Sequence, residues 1–145
     1  MHRRGAQTAL FLLLLVVWIA SFFLPAVNMN AVRPGYTAAL MSISVLTSIE
    51  PSAWLTHLYL GSFWIANLFM LASPFGLWRA RLGKGGVFLA LMAFWDVLTL
   101  SYVVYHRVTG NFASVLLGWC IWEASLVAIT LLLFVVRQNA RRSRV

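Results

Sequence analysis

Four long apolar runs, Ala6 to Leu24, Leu58 to Trp78, Val87 to Tyr105 and Phe112 to Val136, occupy most of the 145 residues and leave only short polar segments between them. Each is about as long as the 20 residues a helix needs to cross a hydrocarbon core of about 30 Å. Inside such a core every backbone N–H and C=O must be paired within the segment, so helices are the form these runs take. The predicted fold is all-α: a polytopic membrane protein, a bundle of four transmembrane helices that makes up a single integral membrane domain over residues 1–145. Composition agrees, with 62% of residues hydrophobic and 10% charged, against about 45–50% and 25% in soluble domains.

Eleven Lys and Arg against three Asp and Glu give a net charge of +8. In a soluble chain that balance points to nucleic acid. Here the basic residues flank the apolar runs, where they set topology and meet anionic headgroups, so no nucleic-acid partner is expected. With the N-terminus inside, Arg3, Arg4, Arg79, Arg81, Lys84, Arg137, Arg141, Arg142 and Arg144 face the cytoplasm, and only Arg33 and Arg107 lie outside. The rule that short cytoplasmic flanks are positive therefore predicts a multi-pass protein of the cell inner (plasma) membrane with both termini cytoplasmic. The first run is long, carries Trp18 and ends Leu24-Pro25, which suits a retained helix better than a cleaved signal.

The loop from Asn28 to Ser52 opens with the turn-rich sequence NMNAVRPG. Beyond it, Tyr36, Ala39, Leu40, Ile43 and Leu46 recur at helical spacing, which predicts a short interfacial helix between Tyr36 and Ile49, ended near Glu50-Pro51. Pro74, near the inner end of the second run, leaves the Met70 carbonyl without its helical donor and predicts a kink. Phe22, Phe23, Trp54, Tyr59, Tyr102, Tyr105 and Phe112 would ring the outer interface, Phe75 and Trp78 the inner.

Three polar residues fall near the middle of their runs: Asn67, Asp96 and Glu123. An acid at a helix centre costs about 2.5–3.5 kcal/mol on insertion scales, so Asp96 and Glu123 should face the bundle interior, as a midplane polar cluster with Asn67. Such a cluster either handles protons or cations, as coupled transporters do near the midplane, or joins helices by hydrogen bonds. Trp95 and Trp122 each precede an acid and lie too deep to be interface anchors. Adjacent residues point about 100° apart, so each indole should flank its carboxyl, packing between helices or lining a cavity for an organic cation.

His57 and His106 sit at equal depth on the outer face, where two imidazoles could ligate haem or a metal. No further ligand accompanies them, so they read as interfacial histidines and no cofactor or metal is expected. Cys120 is the lone cysteine, which excludes dithiol chemistry and cysteine zinc sites. Gly83-Lys84-Gly85-Gly86 lacks the strand, spacing and Ser/Thr of a phosphate loop. Ser114 with Gly118, and Ala124 with Ala128, mark a close-packing side of the fourth helix.

Several short motifs run through most of the chain: Phe23-Leu24-Pro25-Ala26, Gly35-Tyr36-Thr37-Ala38-Ala39-Leu40, Trp64-Ile65-Ala66-Asn67, and Gly118-Trp119-Cys120-Ile121-Trp122-Glu123-Ala124-Ser125. They resemble the motifs of uncharacterised small bacterial four-helix inner-membrane proteins, with Leu-Pro-Ala after the first helix and Trp-x-Ala-Asn in the second. The resemblance implies fold and location, with no catalytic role. Asn67 fits that pattern, whereas Glu123 stands where the family is usually apolar. The expectation is a non-enzymatic membrane protein, an accessory subunit that binds a membrane-protein partner or a second copy of itself. The alternative is a proton-coupled small-molecule transporter or channel component that uses Asp96 and Glu123.

Overall fold

A computed structural model describes residues 2–28, 32–37, 39–40, 43, 54–108 and 117–143. The protein is mostly helical, with four long helices: α1 (His2–Ser21), α2 (Trp54–Arg81), α3 (Gly86–Val108) and α4 (Leu117–Arg142). Two of the described helical stretches, Arg4–Ser21 and all of α4, are long and apolar enough to cross a membrane, and Gly86–Tyr102 is a shorter apolar stretch. Helices α2 and α4 run past their apolar runs into basic sequence, ending on Arg79 with Arg81 and on Arg141 with Arg142. Cations there meet the negative end of the helix dipole, so the helices extend at little cost.

The turn between α2 and α3 is a Schellman closure. Gly83 N–H donates to the Ala80 carbonyl at 2.9 Å and Lys84 N–H to that of Arg79 at 3.0 Å. Gly83 has φ +66°, the left-handed conformation this closure requires. The turn is held from the other side by Arg141, whose Nε donates to the Gly83 carbonyl at 3.2 Å. Arg81 reaches α1, where its Nη2 donates to Thr8 Oγ1 at 2.5 Å. The start of α1, the α2–α3 turn and the end of α4 thus gather at one end of the bundle, with most of the basic residues.

The opposite end is closed by a small hairpin that the turn-rich sequence did not reveal. Strands β1 (Pro25–Asn28) and β2 (Val32–Pro34) pair antiparallel, with Pro25 opposite Pro34, Asn28 opposite Val32, and an irregularity between Pro25 and Val27. The return leg is tied to the end of α1, since Tyr36 N–H donates to the Phe22 carbonyl at 2.8 Å and Gly35 N–H to that of Leu24 at 3.1 Å. Gly118 lets α4 press on this hairpin: a Cβ there would lie 2.8 Å from the Leu24 oxygen and 2.9 Å from that of Pro25. The sequence-predicted close-packing side is met at Gly118, while Ala124 is exposed, Ala128 is half-buried and Ser114 lies outside the described residues. Residues 35–37, 39–40 and 43 are helical, in the stretch expected to form the interfacial helix. Its remainder, with Glu50 and Pro51, lies outside the described residues.

Pro74 does not interrupt α2. The carbonyl it deprives is that of Met70, and the Ser73 hydroxyl donates to that oxygen at 2.6 Å. Ser73 is fully buried, so the hydroxyl substitutes for the missing N–H where water has no access. Ser73→Ala should therefore destabilise the bundle by about 1–3 kcal/mol by orphaning a buried carbonyl. The double substitution Ser73→Ala with Pro74→Ala, which restores the N–H, should recover most of that loss in detergent unfolding titrations; no recovery would mean that the hydroxyl is not the proline's complement.

The core runs along the bundle axis through Phe11, Met70, Met92, Leu126, Ile129 and Leu133, all at most 2% exposed. Large apolar side chains are also spread over the outside, among them Leu13, Val16, Leu71, Phe94, Val97 and Leu131, each more than half exposed. Of the expected interfacial aromatics, Phe23, Phe75, Trp78 and Tyr105 are exposed, whereas Phe22 and Tyr102 pack against the core. Phe112 and the side chains of Trp54 and Tyr59 lie outside the described residues.

Candidate functional site

The three mid-helix polar residues divide between two seams of the bundle. On the seam of α1, α2 and α4, the Asn67 side-chain oxygen accepts two indole N–H groups, Trp122 Nε1 at 2.8 Å and Trp18 Nε1 at 3.3 Å. One amide thus joins three helices. Both tryptophans are 7% exposed, and a buried indole needs an acceptor. The expected cluster of Asn67 with Asp96 and Glu123 is corrected here: the amide serves the indoles, and the carboxyls lie on another seam. The cause is helical geometry. Trp122 and Glu123 are neighbours on α4 and point about 100° apart, so one turns toward α2 and the other toward α3.

Around Asn67 the packing is aromatic. The Phe63 ring sits 4.2 Å from the Trp119 ring and 5.2 Å from that of Trp122, and Tyr102 stacks on Trp119 at 5.5 Å. Beneath the hairpin these groups leave a cavity of about 70 Å³, bounded by Phe22, Phe63, Asn67, Trp119 and Trp122 among others. Trp122 therefore packs between helices, the first of the two roles considered for it, and also borders this cavity. Trp95 is half-buried and packs edge-on against its neighbour Phe94 at 5.1 Å.

The second seam, between α3 and α4, holds the acids. Asp96 is 7% exposed, Glu123 6%, and the hydroxyl residues beside them, Thr99 and Thr130, are 0% and 9%. Thr99 Oγ1 lies 3.1 Å from Glu123 Oε1, and also 3.0 Å from the Asp96 carbonyl and 3.1 Å from that of Trp95. One hydroxyl proton is shared among three acceptors, so the carboxylate oxygen is only part-served. Glu123 Oε2 is buried with no hydrogen-bond partner. Thr130 of α4 neighbours the Asp96 carboxyl, yet its Oγ1 makes no well-formed hydrogen bond. The two carboxyls are close enough for their charges to interact. Among the described residues neither has a Lys or Arg as an electrostatic neighbour.

This seam can hold a proton, or a small hard cation, among the oxygens of Asp96, Glu123, Thr99 and Thr130. Among the described residues no three His, Cys, Asp or Glu side chains come together as a metal site. His57 is half-buried near the start of α2 and makes contacts of its own, while the His106 side chain lies outside the described residues. Cys120 is exposed on α4. Comparison with family models, with curated proteins and with solved structures finds no match for the chain. The candidate site therefore rests on geometry alone.

Proposed function

We propose that the chain is a four-span inner-membrane protein whose α3–α4 carboxyl pair takes up and releases a proton or a monovalent cation, as the coupling site of a small transporter or channel component. The observation that carries this is the burial of Asp96 and Glu123 together, with no cationic neighbour among the described residues and with Glu123 Oε2 unpartnered. Two carboxyls in a low-dielectric seam need compensating positive charge, and a proton or small ion from water is the simplest source.

The four-span reading is supported by helix length and surface. At about 1.5 Å per residue, the 28 residues of α2 and 23 of α3 extend roughly 42 and 35 Å, more than a hydrocarbon core of about 30 Å. Their outer faces carry exposed Leu68, Leu71, Phe94, Val97 and Leu100, a surface that soluble monomers avoid in contiguous form. The gathering of Arg79, Arg81, Lys84, Arg137 and Arg141 at one end suits a cytoplasmic face, with both termini inside. The accessory-subunit reading, in which Asn67, Asp96 and Glu123 join the helices, draws support from the two indole bonds to Asn67, whereas the unpartnered Glu123 Oε2 favours the coupling site.

Reconstitution tests the proposal. Vesicles containing the protein, given an inward proton or sodium gradient, should dissipate it faster than empty vesicles, by an encapsulated pH or sodium dye. Asp96→Asn and Glu123→Gln should each bring that flux to the empty-vesicle rate. Flux unchanged in both variants, or absent from the native protein under either gradient, would remove the coupling-site reading.

A further inference from the structure

On the α3–α4 seam, toward the basic end of the bundle, lies a groove of about 440 Å³. Gly86, Ala90 and Ala93 of α3 line one side, and Leu131, Phe134 and Arg137 of α4 the other, with Thr130 at the deep end. The small residues at spacings of four and three leave room that larger side chains would fill. From Arg137 to Thr130 the groove follows seven residues of helix, about 10 Å along the axis, which reaches from an interface into one leaflet.

Its mouth is cationic. Arg137 Nε is buried with no hydrogen-bond partner, and its guanidinium lies over the first turn of α3, where a Cβ at Gly86 would meet Nη2 at 2.6 Å. That first turn contains no acidic residue, and its leading N–H groups favour negative charge. Arg141 stands beside it on the Gly83 carbonyl. Among the described residues the acidic ones are Asp96 and Glu123, both mid-helix and neither at this end. An apolar groove continuous with a cationic mouth matches a molecule that is anionic at its head and apolar in its tail.

We propose that the α3–α4 groove binds an anionic phospholipid, with one acyl chain along Ala90 and Ala93 and the headgroup phosphate on Arg137 and the start of α3. The proposal rests on the membrane reading above but not on proton or cation coupling.

Native mass spectrometry of the full chain in mild detergent tests it, with phosphatidylglycerol and phosphatidylcholine of identical chains as probes. Phosphatidylglycerol should bind about fivefold more tightly, the factor expected for one basic residue at a charged headgroup. Arg137→Gln should abolish the preference and Arg137→Lys retain most of it. Ala93→Phe, which fills the groove without altering charge, should reduce phosphatidylglycerol binding to that of a dihexanoyl analogue. Equal binding of the two lipids to the native protein would overturn the proposal, as would undiminished binding to Ala93→Phe. Inorganic phosphate raising the melting temperature as much as phosphatidylglycerol would mean a bare phosphate site, and a dimer lost only in Ala93→Phe would mean that a second copy fills the groove; each overturns it. A chain that stays in the aqueous supernatant without detergent would instead refute the membrane reading itself.

Discussion

Replacing Asn67 by leucine is expected to weaken the bundle by about 1–4 kcal/mol, because two buried indole N–H groups lose their acceptor at once. Leucine matches the apolar surroundings of Ala66 and Met70, which are 1% and 0% exposed, so the loss reports the hydrogen bonds more than the packing. The two donors should not contribute equally. Trp122 Nε1 lies at 2.8 Å and Trp18 Nε1 at 3.3 Å, and hydrogen bonds weaken as they lengthen. Trp122→Phe should accordingly cost more than Trp18→Phe, since the loss of ring size is the same in both. With both tryptophans already replaced by phenylalanine, Asn67→Leu should have far less effect than in the native protein, since the penalty of an unpaired donor is removed with the donor. Unfolding titrations in mixed micelles, followed by far-UV circular dichroism, measure all of these. A native-like midpoint for Asn67→Leu would show that the amide does not hold the three helices together.

The axial positions of the helices were legible in the sequence, and their rotations were not. Long apolar runs mark what is buried from water, so the runs at 58–78 and 87–105 fall inside α2 and α3. Helix ends were less legible because backbone hydrogen bonding continues into basic sequence, which carries α4 to Arg142 rather than Val136. The hairpin was hidden because its pairing depends on how residues 22–28 and 32–36 meet in space, and two of its seven strand residues are prolines, which discourage a strand reading.

Depth singled out Asn67, Asp96 and Glu123, of which the two acids are buried and Asn67 is half-buried. It could not say which face of each helix they occupy, and three groups at one depth can share a bundle without sharing a site. A signal for the division was present. Asn67 is the only side-chain amide deep in any apolar run, and buried indoles at similar depth need an acceptor. Trp122 next to Glu123 shows that α4 must serve two different neighbours. Trp18 was read only as an obstacle to signal cleavage, and its part in joining α1 to α2 emerges from the structure. Neither the α3–α4 groove nor the unpartnered Arg137 Nε at its mouth was foreseen, because both depend on the relative rotation of two helices.

Glu123→Met should have the opposite stability effect from Asn67→Leu. Glu123 Oε2 is already unpartnered, and its Oε1 shares the Thr99 hydroxyl with two backbone carbonyls. Methionine has a similar length and adapts to irregular space. Removing the carboxyl leaves Thr99 with the carbonyls of Asp96 and Trp95 as acceptors, so no buried donor is stranded. A half-satisfied polar group is worse than an apolar one in the same place. The variant should unfold no more easily than the native protein, and should gain up to about 1–3 kcal/mol, the penalty of one buried unsatisfied polar atom. Under the proposed coupling role the same substitution should bring vesicle flux to the empty-vesicle rate. Stability gained while transport is lost is the expected mark of a group kept for function at the expense of packing. Marked destabilisation would instead assign Glu123 to helix joining, the role that Asn67 fills on the other seam.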